Sequence, residues 1–104
     1  MVRISVLYPA GEGKTFDHTY YVQKHMALVR QRWSGFGLVK TEVDKGVAGG
    51  TPSSPAPYVA IGHVFFNTLA DFQKAAQAHG AELFGDVPNF TNIQPQVQIS
   101  EMLG

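Results

Sequence analysis

The chain has 104 residues, eight basic and eight acidic side chains, a formal net charge of zero and no cysteine. That length suits one domain burying roughly two-thirds of its unfolded surface, and the missing thiols exclude disulfides, thiolate metal sites and a cysteine nucleophile. A hydrophobic fraction of 44% supports a packed core, the balanced charge gives no electrostatic footprint for nucleic acid, and no apolar run nears the roughly 18 residues of a membrane helix.

Val2 to Tyr8 alternates Val2, Ile4, Val6 and Tyr8 against Arg3 and Ser5, the period of a half-buried strand. Pro9 to Gly13 breaks it. Asp17 is a candidate N-cap, because its carboxylate can accept the free N–H groups of a first helical turn. At 100° per residue, His18, Tyr21, Val22, His25, Leu28, Val29 and Trp33 fall on one face of a helix over His18–Trp33. Gly35 and Gly37 end that helix. Leu38 to Val47 reads as a second, more charged strand, and Ala48 to Pro57 as a Gly-, Pro- and Ser-rich loop.

Tyr58 to Phe66 is the strongest strand and is apolar on both faces: Val59, Ile61, His63 and Phe65 on one, Tyr58, Ala60, Gly62, Val64 and Phe66 on the other. Thr68 with Asp71 resembles a capping box opening a helix to about His79, with Leu69, Phe72, Ala76 and His79 on one face. Ala81 to Val87 adds a further helical turn, and Ile93 to Leu103 forms the last strand. The order is that of an α+β, ferredoxin-like βαββαβ sandwich, with the first and third strands central. Two helices cover one face of the antiparallel sheet. The face left bare predicts a homodimer, sheet against sheet. The expectation is a single domain over residues 1–104, cytoplasmic because Met1 to Val6 lacks the pattern of a signal peptide.

Several local patterns carry little chemistry. Gly11-Glu12-Gly13-Lys14-Thr15 mimics the end of a phosphate loop, but the required first glycine falls on Tyr8, so a solvated turn is expected. His18 and His25 stand about 10.5 Å apart along a helix axis, too far to share a metal, and no acid lies at ligand spacing from either. No metal or cofactor is expected. Tyr21 and His25, at i and i+4, stack on the buried face, where apolar surroundings favour a neutral imidazole suited to proton transfer beside a phenol. The alternative is a core histidine satisfied by one carbonyl. His63 lies on either face of the sheet: towards the helices it faces His25, otherwise it sits in the dimer seam.

Phe16-Asp17-His18-Thr19-Tyr20-Tyr21, followed by His25-Met26-Ala27-Leu28-Val29, resembles the opening motif of the EthD family. Val43-Asp44-Lys45-Gly46, Ala56-Pro57-Tyr58-Val59-Ala60 and the run from Pro88-Asn89-Phe90-Thr91 to Gln98-Ile99-Ser100-Glu101 extend the resemblance over the whole chain. One departure is Ala27, where the family commonly has proline. The family takes its name from a gene cluster for ethyl tert-butyl ether degradation. The resemblance implies a dimeric α/β barrel, with a pocket between sheet and helices in each subunit. Proteins sharing that barrel include cofactor-free monooxygenases of polyketide quinones, muconolactone-type isomerases and pigment dehydratases. Carried onto this chain, the helix histidine is His25, with Tyr21 nearby.

Two functions are therefore expected to compete. One is a cofactor-independent, oxidoreductase-like enzyme on a small apolar oxygenated substrate, with His25 and Tyr21 catalytic and Tyr8, His63 and Phe66 as pocket wall; isomerisation or dehydration would use the same groups. The other is a non-catalytic accessory or carrier of an oxygenase system.

Overall fold

The computed structural model describes all residues, Met1–Gly104. Four strands, β1 (Val2–Pro9), β2 (Leu38–Lys45), β3 (Tyr58–Phe66) and β4 (Gln96–Glu101), form one antiparallel sheet in the order β2-β3-β1-β4. The two most apolar strands are thus central. Register sets Val6 opposite Gly62 and Val97, and Ser5 opposite His63. One sheet face carries the helices and the core, including Ile4, Tyr8, Ala60, Val64 and Phe66.

The first helix is not a uniform α-helix. A short α1 (His18–Tyr20) runs into a π-helical turn over Tyr21–His25 and continues as α2 (Met26–Trp33). The Asp17 carboxylate caps its start by accepting from the Tyr20 N–H at 3.0 Å. Tyr21, His25, Val29 and Trp33, each four residues apart, are all buried. At 3.6 residues per turn, that spacing drifts by about 40° per step. One wider π turn absorbs the drift and holds the four on a common face. It also corrects the even projection: Val22 is exposed at 48%, while Met26 enters the core at 3%. Gly37, at φ 90°, ends the helical segment in the left-handed region.

The third helix, α3 (Leu69–Gly85), runs unbroken through Gly80, well past the expected end at His79. Thr68 Oγ1 accepts from the Asp71 N–H at 3.1 Å, so the expected cap forms. Its buried positions are Ala75, Gly80 and Leu83, whereas Leu69 is 42% exposed. The last strand begins at Gln96, not Ile93: Pro95 has no N–H for the ladder, and Ile93 is spent in the core. The segment Gly11–Thr15 is a plain turn, tied down by Asn92, whose side chain donates to the Gly13 carbonyl and accepts from the Thr15 N–H.

No helix covers the other sheet face. There the Lys40 ammonium lies over the Phe65 ring, 4.7 Å from its centre, and Phe65 stays outside the helix-side core although it is only 2% exposed.

Candidate functional site

Between the sheet and the helices lies a cavity of about 110 Å³ lined by 15 residues, 13 of them hydrophobic. The two exceptions are His25 and Gly62. Tyr8 reaches it from β1, Tyr21 and His25 from the π turn, Val97 from β4 and Phe84 from the helix over Leu69–Gly85. The Trp33 indole also borders the space, but its N–H is spent on the Ala75 carbonyl at 2.8 Å. The polar groups left for a guest are those of His25, Tyr8 and Tyr21.

Tyr21 and His25 stack with ring centroids 5.3 Å apart and planes 15° from parallel. Tyr8 meets Tyr21 edge-on at 5.5 Å, and Phe90 packs against both tyrosines and His25. Tyr21 lies across the sheet directly over Gly62, where a Cβ would collide with its hydroxyl. The glycine in an otherwise apolar central strand is the space that the phenol occupies. Burial pushes the Tyr21 phenol up to about 12, the neighbouring Tyr8 hydroxyl pulling slightly the other way. Tyr8 is raised further, first by burial and then by Tyr21. Both phenols are therefore protonated at neutral pH and able to donate.

His25 does not sit in purely apolar surroundings, which corrects the sequence expectation. Its Nδ1 lies 2.9 Å from Asp86 Oδ2. The other oxygen of Asp86 accepts from the Tyr20 hydroxyl and from Asn89 Nδ2, each at 2.8 Å. Partial burial raises the Asp86 carboxyl, but hydrogen bonds from Asn89, His25 and Tyr20 outweigh it and hold the group below its ordinary value. The imidazole therefore faces a carboxylate. Its Nε2 has no partner within the chain yet is not sealed off, since Arg3 Nε is the one fully buried side-chain nitrogen or oxygen left unpaired. His25 lines the cavity, and Nε2 is its ring nitrogen with no hydrogen-bond partner inside the chain.

The expected site residues separate. Tyr8, Tyr21 and His25 converge on the cavity. Phe66 lies beneath it, fully buried against Trp33 and Phe72, and is not part of the wall. His63 is on the opposite face of the sheet, bonded to Ser5 Oγ at 2.9 Å and Asp44 Oδ2 at 3.0 Å, so it cannot touch a ligand beside His25. His18 is half-buried, its Nε2 donating to the Val59 carbonyl at 3.0 Å. Asp86 was missed, although one signal was present. A carboxylate just past the end of a helix faces the negative end of the macrodipole, and it needs another reason to be there.

Residues 10–94 match the EthD domain. The chain belongs to the EthD family. Among solved structures, an EthD-like protein from Ralstonia eutropha JMP134 shares 38% identity with a TM-score of 0.92, over 99% of this chain and 92% of that one. An ethyl tert-butyl ether degradation (EthD) family protein from Bacillus halodurans C-125 shares 21% identity with a TM-score of 0.76, over 99% of both chains. A dimeric ferredoxin-like protein from an uncultured marine organism, 11% identical with a TM-score of 0.62 over 100% of this chain and 96% of that one, has the same fold. No protein of curated function matches the sequence. The ferredoxin-like expectation for this EthD chain is thus met in strand order, helix placement and family. No helix is long and apolar enough to cross a membrane.

Proposed function

We propose that this EthD protein is a small-molecule catabolic enzyme, working without a cofactor, in which His25 moves a proton on an apolar, oxygen-bearing substrate. One observation carries the reading: the imidazole is held at Nδ1 by a carboxylate, its Nε2 has no partner in the chain, and the residue lines a cavity whose other walls are almost entirely apolar. An imidazole so held is built to take a proton at Nε2, and the resulting cation is stabilised by Asp86. The protonated phenols of Tyr21 and Tyr8 supply donors for an oxygen that gains negative charge. No Lys or Arg lines the space, which favours a neutral substrate over a carboxylate or phosphate. An enolate or phenolate formed this way is a common starting point for oxygenation, isomerisation and dehydration. Oxygenation, with dioxygen as the oxidant, is the first reaction class to screen, with isomerisation and dehydration next.

The test is His25→Ala, screened with phenols, quinones and lactones against the parent protein. A folded variant that loses turnover by about 100-fold or more fits loss of a general acid–base. A folded variant with full turnover removes the catalytic role and favours a carrier or oxygenase accessory.

The bare sheet face supports a homodimer. Leu7 and Ile61 lie there half-buried with no covering element, and a second copy would cover them by pairing sheet to sheet. In that arrangement each subunit keeps its own helix-side cavity, and His63 lies in the seam.

A further inference from the structure

We infer that Asp86 is a positioning residue that fixes the tautomer of His25, so that the cavity offers a hydrogen-bond acceptor and takes apolar ligands bearing a hydroxyl in preference to equal-sized ligands bearing only a carbonyl. The inference rests on the catalytic reading only for its choice of site, because its observable belongs to the free protein.

Asp86 Oδ2 is an acceptor, so the His25 nitrogen 2.9 Å away must be the protonated one. In a neutral imidazole the other nitrogen, Nε2, then carries a lone pair. A hydroxyl ligand satisfies the whole site: its O–H donates to Nε2 and its oxygen accepts from Tyr21 or Tyr8. A ketone can only accept, and it leaves Nε2 desolvated without a partner. Such an unpaired buried group costs roughly tenfold or more in affinity.

The carboxylate is itself oriented from three segments. Tyr20, in α1, and Asn89, in the turn after α3, both donate to Oδ1, while His25, in the π turn, donates to Oδ2. This makes Asp86→Asn an informative change of equal shape. With Tyr20 and Asn89 still donating, the new amide oxygen must take the Oδ1 place, which turns the NH₂ towards His25. That NH₂ donates to Nδ1, moves the imidazole proton to Nε2, and turns the cavity atom from acceptor into donor.

The experiment is ¹⁵N NMR of the imidazole nitrogens in the free full-length protein, at a pH where the spectrum itself shows a neutral ring. It is paired with binding titrations of cyclohexanol and cyclohexanone, which match in size. The parent protein should show protonated Nδ1 and bare Nε2, and Asp86→Asn the reverse. The preference for cyclohexanol over cyclohexanone should fall by about tenfold in the variant; comparing the ratio between proteins cancels the different hydration of the two probes. Protonated Nε2 in the parent, or an unchanged ratio in the variant, overturns the inference. If Asp86→Asn does not fold, the parent spectrum and the parent's own alcohol-to-ketone ratio still decide, a ratio at or below one counting against it. If the parent shows bare Nε2 and prefers the alcohol while His25→Ala keeps full turnover, the proposed catalysis fails and this inference stands.

Discussion

Gly62 and Tyr21 show how one missing side chain can shape a site. The phenol lies where a Cβ would be, so Gly62→Ala must displace it, although alanine fits an extended strand without strain. The expected cost is about 1–3 kcal/mol in chemical denaturation, together with loss of ligand binding in the cavity. An unchanged midpoint would mean that Tyr21 has room to move. The same burial creates a pH dependence. Tyr8 and Tyr21 hold their protons well above the ordinary phenol value of 10.0. Their contribution to stability is therefore complete below pH 10 and is lost as pH rises, because unfolded phenols ionise first. Stability should fall from about pH 10 towards pH 12, and more gently in Tyr8→Phe. Equal slopes in the two proteins would contradict the burial of that hydroxyl.

The element that decides the site is the π turn. Tyr21 and His25 sit at its two ends, and it turns a spacing of four residues into a shared buried face. π turns of this kind cluster at functional sites because the extra residue re-aims side chains that a regular helix would misplace. Deleting the exposed Gln23 should restore regular helical spacing and rotate the preceding segment by about 100° relative to α2. Tyr21 would then leave Gly62. The expected loss is on the order of 3–5 kcal/mol, as for removing a buried aromatic, read as a lower denaturation midpoint at constant slope. A deletion variant as stable as the parent would show that the turn carries no packing role. The sequence contains the fours-spacing of Tyr21, His25, Val29 and Trp33, so the turn was legible in principle. An even 100° projection hides it.

At the scale of the molecule, the two faces of the sheet divide the labour. The helix side holds the cavity, with Tyr8, Tyr21 and His25 on its wall. The open side holds Phe65 under Lys40, and His63 bridged between Ser5 and Asp44. The Ile61 side chain lies on that open side and is half-buried even in the isolated chain. Under the proposed pairing, Ile61→Asp would bury an unpaired carboxylate in the seam and should convert a dimer into a monomer by sedimentation velocity. The helix-side cavity should keep its affinity for cyclohexanol. A parent protein that sediments as a monomer would sink the pairing.

Local pattern in the sequence determined the strand order, the two caps at Asp17 and Thr68, and the placing of Tyr21 and His25 on one buried face. These follow from side-chain periodicity and from hydrogen bonds between near neighbours, which are properties of short segments. Tertiary structure alone decided the rest. His63 could be assigned to a face only once its strand was paired, because alternation gives two faces and does not say which one the helices cover. Phe66 lies on the helix side yet is core and not cavity wall, because Trp33 and Phe72, from two different helices, pack against it. Asp86 met His25 across 61 residues of sequence, and no periodicity within either segment encodes a contact between the end of one helix and the π turn of another.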